Sequence, residues 1–398
     1  MDFKQAVVLA AGEGERLRPF TASKPKVMIR VANKPILQYV VEALERNGIR
    51  RILFVVGYKK EKIMDYFGDG VDFGVEIDYV FQEHLLGTGD ALKQAKDKTD
   101  ERFLVLSGDN VILPDTLSDS DLLSMTEEDG NAILIKAHKD IRKCSVVTLK
   151  AGMVEDIIEK PRGDISNLVN TGIYAFGKDI FEVIEAELTS TLRSMILQGC
   201  RINACETHEA WLDAVYPWNI IRLNEIVLRK NPAGVEGKIE RGVSIDGEVA
   251  IGKNSVIRAN SYVKGPVIIG ENCDIGPNAC IFPSTSIGND AAIGAFTEIR
   301  NSVLMGGVKI GSFSSIHDSI FDTGSYAEGG FIARSGEADI EIGGEYHIHR
   351  VKIGTMVGEY CEIGSNVIAH PGAIIGNRSK IKSMKELMGK IPDGSWVV

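Results

Sequence analysis

Two short stretches near the N-terminus carry residue types suited to holding phosphate. The chain reads Leu9-Ala10-Ala11-Gly12-Glu13-Gly14-Glu15-Arg16-Leu17-Arg18-Pro19, and a little further on Lys24-Pro25-Lys26. Gly12 and Gly14 let backbone amides come close to an anion. Arg16 can grip two oxygens of one phosphate at once, and Lys26 supplies a second cation. A dinucleotide-binding turn would need a third glycine where Leu17 stands, and the P-loop spacing is absent too. Alone, Gly-x-Gly suits a plain tight turn equally well. With Arg16 and Lys26 it points to a triphosphate.

Asp109 closes the run Phe103-Leu104-Val105-Leu106-Ser107-Gly108-Asp109, and Asp213 closes Trp211-Leu212-Asp213. Either aspartate alone could be a cap or turn residue. Together, at the ends of two strands, they can converge on one divalent ion. Magnesium takes oxygen ligands, often one or two carboxylates completed by substrate phosphates. Gln82 precedes Leu86-Gly87-Thr88-Gly89-Asp90. A glutamine beside a Gly-Thr turn can read the edge of a base, or it can be a surface residue before a helix start.

The elements that would position these groups alternate. Short apolar runs at 6–10, 52–56, 75–81 and 103–106 read as buried strands, and 36–46 and 60–67 as helices. Alternation of this kind predicts a Rossmann-like α/β domain with a mostly parallel sheet, whose ligands sit beyond the carboxyl ends of the strands. Near Asn231-Pro232-Ala233-Gly234 the pattern changes. Ile239, Ile245, Ile251, Ile257, Val263, Ile269, Ile275, Ile281, Ile287, Ile293 and Ile299 recur every six residues. Leu304, Ile310 and Ile316 continue out of phase; Val351, Val357, Ile363, Ala369, Ile375 and Ile381 form a third run. A chain that turns a corner every six residues, three corners per coil, accounts for this and predicts a parallel β-helix. Residues 317–350 break the pattern and are expected to leave the helix as a loop or irregular coil. A short terminal helix is expected over 383–390. The predicted divisions are 1–231, a solenoid over 239–382, and a tail over 383–398.

Bulk properties narrow the partners. The chain has 398 residues, a formal net charge of -10, 44% hydrophobic and 25% charged residues. That balance suits a soluble globular protein and speaks against a nucleic-acid partner, which needs a basic face. No apolar stretch approaches the length of a membrane span. The six cysteines show no Cys-x-x-Cys spacing and suit reduced thiols in the cytoplasm.

Taken together, residues 1 to about 230 resemble the sugar-1-phosphate nucleotidylyltransferases. The matching pieces are Leu9 to Pro19, Lys26, Gln82 to Gly89, Gly108-Asp109, Glu159-Lys160-Pro161, Asn170-Thr171-Gly172 and Trp211 to Asp213. With the repeats, the whole chain is similar to archaeal proteins that join this domain to a left-handed β-helix of the hexapeptide acyltransferase type. The resemblance implies transfer of a nucleotide from UTP or dTTP to a glucose- or N-acetylglucosamine-type sugar 1-phosphate, with release of pyrophosphate and with Mg2+ as cofactor. It implies that Leu9, Ala10, Ala11, Gly12, Gly14, Gln82, Gly87 and Thr88 hold the nucleotide. Arg16 and Lys26 act on the phosphates, and Asp109 and Asp213 bind the metal. Gly108, Glu159, Lys160 and Asn170 receive the sugar phosphate. The chain departs from the family at Glu15, where threonine is usual, and at Ser145, where uridyltransferases have glycine.

Related solenoids transfer acetyl groups from acetyl-CoA to an amino sugar phosphate with a histidine base. Here Gly311-Ser312-Phe313-Ser314-Ser315 stands where the relatives carry Pro-His-x-x-Tyr, and His317 lies just beyond. Ile332-Ala333-Arg334-Ser335 replaces an asparagine-containing segment, and a downstream basic segment is missing. His347, His349 and His370 are the other candidates. Acetyl-CoA is implied only if this domain is active. Otherwise the solenoid is expected to assemble the chain into a homo-oligomer, a trimer by resemblance. A non-catalytic scaffold with the same two domains is the remaining alternative, and the retained Arg16, Lys26, Asp109 and Asp213 speak against it.

Overall fold

The computed structural model describes residues 3–125, 130–139, 141, 144–161, 163, 165–230, 233–342 and 345–398. The linker residues Asn231 and Pro232, and the side chains of His349 and Val351, lie outside the described set. The chain forms two compact units that do not simply follow chain order. The first takes 1–13, 24–28 and 36–213; the second takes 14–23, 29–35 and 214–398.

In chain order the elements up to the solenoid begin with β1 (Gln5–Ala10), β2 (Arg30–Val31), β3 (Lys34–Pro35), α1 (Ile36–Arg46), β4 (Arg51–Val56), α2 (Glu61–Phe67) and β5 (Glu76–Phe81). Next come α3 (Thr88–Lys93), β6 (Arg102–Ser107), β7 (Asn110–Ile112), α4 (Pro114–Ser118), β8 (Asn131–Ala137), β9 (Ser145–Lys150) and β10 (Met153–Glu159). The series ends with β11 (Leu168–Gly177), α5 (Ile180–Val183), α6 (Leu188–Leu197), β12 (Ile202–Glu206), β13 (Trp211–Asp213) and α7 (Asn219–Leu228).

The first unit is built on a nine-stranded sheet in the order β5-β4-β1-β6-β11-β8-β12-β10-β9. Its first four strands run parallel to one another. From β6 onward antiparallel pairings enter, so the sheet is mixed. The apolar runs of β1, β4 and β6 are buried on both faces. Ala6, Val8, Phe54, Leu104 and Leu106 pack with Leu37, Val40 and Leu44 of α1. Val7, Leu53, Val55, Phe103 and Val105 pack with Leu92 of α3 and Leu188 and Leu192 of α6. Burial on both faces is why these strands are continuous apolar runs rather than alternating ones.

The second unit holds the β2–β3 ribbon, α7 and a solenoid of three parallel sheets of nine, nine and eight strands. This is the stacking of a parallel β-helix, consistent with a left-handed one. Each strand pairs with its equivalent one coil later, as in Ile251↔Ile269, Ile257↔Ile275 and Ile281↔Ile299. The repeated aliphatics point inward and form one continuous core. The corners need a left-handed backbone, and Asn254, Asn260, Asn272, Asn278 and Asn366 occupy such corners with φ between 54° and 61°. Asparagine tolerates that conformation better than most residues.

The phase slip has a simple cause: two successive coils shorten to 17 residues, so all six pairings from Ile287↔Leu304 to Ile316↔Ala333 are 17-residue steps. Two sequence expectations are corrected. Residues 320–333 do not leave the helix but form a regular coil, with strands at Ile320–Phe321, Tyr326–Ala327 and Ile332–Ala333. Among the described residues of this stretch, Gly336–Ile342 and Glu345–Ile353 depart, paired as an antiparallel hairpin. Val351 thus belongs to a hairpin strand, not to a coil. Nor is there a helix at 383–390. Glu386–Leu387 and Lys390–Ile391 are strands, paired with Ile368–Ala369 and Ile374–Ile375. Stacking on the preceding coil overrides the helical preference of Met384-Lys385-Glu386-Leu387-Met388.

Candidate active site

The first unit brings Lys26, Asp109 and Asp213 together. Asp109 follows β6, next to the start of β7. The β7–β13 ribbon is antiparallel and sets Asp213 opposite Asn110, so two carboxylates far apart in the chain meet. The ribbon is fastened from one side: the Trp211 indole N–H donates to the Thr171 carbonyl at 2.7 Å, and Asn110 Nδ2 donates to the same oxygen at 3.3 Å. Thr171 in turn donates through Oγ1 to the Leu134 carbonyl at 2.7 Å. Gly172 makes the bend possible; its φ is 75°, and a Cβ there would stand 2.7 Å from Ser107 Oγ.

Lys26 Nζ donates to Asp109 Oδ2 at 2.6 Å and to Asp213 Oδ1 at 2.8 Å. Its side chain is 13% exposed, whereas the two carboxylates stay about one-third open. Burial pulls the ammonium toward neutrality, but the two carboxylates outweigh it and hold Lys26 above the ordinary lysine range. The chemistry of the donor set fits magnesium. Two carboxylates converge on one cationic centre, and no cluster of three or more acidic, histidine or cysteine ligands exists among the described residues. Such a pair leaves room for phosphate oxygens and water, as Mg2+ requires, and lacks the closed set a structural zinc would have.

A second group lies at the carboxyl ends of β1, β4 and β5. Tyr58 N donates to the Ala11 carbonyl at 3.0 Å, and Gln82 N donates to Val56 at 2.9 Å. Gln82 is buried, and its Nε2 donates to the Gly87 carbonyl at 3.1 Å and to Asp90 Oδ2 at 2.8 Å. Both amide hydrogens are therefore spent inside the protein. Thr88 is held by Glu187, whose Oε2 accepts from its backbone N at 3.1 Å and its Oγ1 at 2.8 Å. Glu187 lies almost a hundred residues away, and nothing in the sequence singled it out. Leu9 and Ala10 end β1, and the Leu9 carbonyl accepts from Gly108 N at 2.9 Å.

On the far half of the sheet, Asn170 is clamped by its own turn: Oδ1 accepts from Gly172 N and Nδ2 donates to Tyr174 Oη, both at 2.8 Å. Glu159 ends β10, exposed, and accepts from Thr189 Oγ1 at 2.6 Å. Its register partner on β9 is Ser145, so one departure from the family pattern lies directly across from a residue expected to bind the sugar. Lys160 follows, exposed, with its N–H donating to the Cys144 carbonyl. Gly12 stays in the first unit, with open space around its Cα. Gly14 and Arg16 belong to the second unit, where Arg16 is exposed on a single 3-10 turn over Glu15–Leu17. In the solenoid, His317 Nε2 stands 2.9 Å from Glu298 Oε1 and 3.3 Å from Ser315 Oγ. His370 pairs with Glu386 at 3.1 Å.

A carboxylate pair at strand ends, a lysine between them and a glycine-rich turn after the first strand are the working parts of a nucleotide-transferring enzyme. A family model described as nucleotidyl transferase matches residues 5–218, and the chain belongs to that family, in its two-domain sugar-1-phosphate nucleotidylyltransferase branch. The branch is set by full-length relatives. A bifunctional protein GlmU of Methanococcus maripaludis is 36% identical over 94% of this chain and 92% of its own. A bifunctional sugar-1-phosphate nucleotidylyltransferase/acetyltransferase of Sulfurisphaera tokodaii is 32% identical over 95% of each. Residues 263–331 match a model described as the GMPPB C-terminal domain. Among solved structures, a UDP-glucose pyrophosphorylase with UDP-glucose shares the fold over 57% of this chain and all of its own, with a TM-score of 0.51 and 24% identity.

Proposed function

We propose that the chain transfers a nucleotidyl group from UTP or dTTP to a glucose- or N-acetylglucosamine-type sugar 1-phosphate, releasing pyrophosphate. The convergence of Asp109 and Asp213 on Lys26 carries this reading. The sugar phosphate oxygen is already anionic at neutral pH, so no general base is needed. It attacks the α-phosphorus in line, the bond to the β-phosphate oxygen breaks, and pyrophosphate leaves. The enzyme's task is to gather two polyanions and offset the charge that develops. Asp109 and Asp213 would hold Mg2+, which when bound neutralises phosphate charge. Lys26 and Arg16 supply the protein's own positive charge to the phosphates, and Lys160, Glu159 and Asn170 receive the sugar phosphate. With both Gln82 amide hydrogens engaged, its carbonyl oxygen remains as an acceptor, and uracil and thymine offer a matching N3–H donor. The test is a matrix of nucleoside triphosphates against sugar 1-phosphates scored by pyrophosphate release. Release with UTP or dTTP is expected, and none with any pair would refute the reading.

A second reading, acetyl transfer from acetyl-CoA to glucosamine 1-phosphate, rests on the His317–Glu298 pair. It predicts acetyl-CoA consumption that disappears in His317→Ala. We further propose that residues 1–231 carry the transfer reaction in the cytoplasm and that the solenoid from residue 239 onward assembles the chain as a homotrimer. Phe296 and Phe313 support the assembly. They are exposed, stack at 5.2 Å with 9° between rings, and take left-handed corners where Asn260, Asn278 and Asn366 otherwise stand. An exposed aromatic pair gives such an assembly apolar area to bury.

A further inference from the structure

The corner that follows the small residue at one face of each coil is ordinarily open to solvent. Lys253, Glu271 and Asn289 occupy it in early coils and are exposed. In the last coils the same corner holds Glu359 and Asn377, which are only 8% and 7% exposed. A carboxylate and a carboxamide buried at a solenoid corner need partners, and both find them in the segment 14–23, which belongs to the same compact unit. Asn377 Nδ2 donates to the Pro19 carbonyl at 3.0 Å. Glu359 Oε2 accepts from Ser23 Oγ at 2.6 Å. The segment also closes on itself, through Thr21 Oγ1 donating to the Gly14 carbonyl at 2.9 Å.

We propose that Asn377 and Glu359 are positioning residues for nucleotide transfer: the last coils of the solenoid are the seat on which the segment carrying Arg16 is held. This rests on the reaction proposed above. One part of the Asn377 geometry serves the solenoid alone. Its Oδ1 accepts from Glu359 N at 2.8 Å, as Asn289 Oδ1 accepts from Glu271 N at 3.0 Å in an earlier coil. Gly358 leaves room for it, since a Cβ there would come within 2.6 Å of that Oδ1. Nδ2 also reaches Asp393 Oδ1 at 3.4 Å within the ladder; its 3.0 Å bond to Pro19 is the addition, and it joins positions 358 apart in the chain. Glu359 has no such duty within the ladder; its carboxylate is given to Ser23.

The two duties can be separated in the full-length protein. Asn377→Asp keeps the oxygen that accepts from Glu359 N and removes the donor to Pro19, together with the long 3.4 Å contact to Asp393 Oδ1. Glu359→Gln keeps an acceptor for Ser23, whereas Glu359→Ala does not. Asn289→Asp is the control for a corner that holds no segment. Pyrophosphate release with the nucleoside triphosphate varied should show KM for the triphosphate raised about tenfold in Asn377→Asp and Glu359→Ala. KM for the sugar phosphate should stay within about twofold, and Glu359→Gln and Asn289→Asp should resemble the wild type. Amide hydrogen exchange over residues 14–23 should be faster in the first two variants and unchanged in the control. Unaltered KM for the triphosphate in both variants overturns the proposal even if exchange rises. If the wild-type chain releases no pyrophosphate with any pair, the reaction reading fails by itself. Exchange then decides the seat alone, and unchanged protection of 14–23 in both variants refutes it.

Discussion

Lys26 makes the two aspartates compatible with each other. Its charge is secure at neutral pH because the carboxylates hold its pKa up, so two acidic groups can share a small space before any ligand arrives. Removing one charge leaves the other partner in place. Asp109→Asn should therefore keep the fold, with a melting temperature within a few degrees of the wild type by circular dichroism, while pyrophosphate release falls at least a hundredfold. Wild-type turnover in that variant would refute Asp109 as a metal ligand. The thiols offer a second check at this scale. Burial pushes Cys361 up to about 11 and raises Cys273, whereas Cys200 is exposed. A disulfide reagent at pH 8 should label Cys200 within minutes and reach Cys273 and Cys361 only on unfolding, because reaction requires an accessible thiolate. Mass spectrometry of the labelled peptides reads the order.

At the scale of elements, the hairpin at 336–353 is an excursion that leaves the stacking intact. The coil before it pairs with the coil after it, Phe321 with Val357 and Ala333 with Ala369. Excising residues 336–353 brings Ala333 and Val357 to a spacing of six, the period of the flanking repeats. The excised protein should retain its strand signal by circular dichroism and melt within about 5 °C of the full chain. It should also gain indole exposure at Trp218, since the hairpin's His347 ring stands 5.7 Å from Trp218 and 4.5 Å from Tyr216, with which Trp218 stacks. Collapse of the strand signal would mean that the hairpin is part of the fold. The hexapeptide period was legible because every coil repeats one physical requirement, an inward aliphatic and a tolerant corner. The hairpin was not, because its strands are as apolar and β-branched as a coil, and Val351 falls by coincidence on the six-residue grid. The placement of the candidate site was legible in part: Asp109 and Asp213 stand at strand ends, as the apolar runs before them imply. That Lys26 would lie between them depends on the β7–β13 register, which no local pattern encodes.

For the molecule as a whole, the proposed assembly has the sharpest readout. A trimer of 43.4 kDa chains would sediment at about 130 kDa, three times the chain mass. The double variant Phe296→Asn, Phe313→Asn should fall toward the single-chain mass without loss of stability, since asparagine already occupies equivalent corners at 260, 278 and 366. A monomeric wild type would end the assembly reading. The division of the chain has a consequence in time rather than space. Residues 14–23 are made among the first, yet their partners Glu359 and Asn377 are made almost last. During synthesis the N-terminal sheet can close while this segment waits, and it takes its seat only after the final coils have left the ribosome. A chain cut short before residue 377 would then carry every residue proposed above for nucleotide transfer and still be born with that segment unfastened.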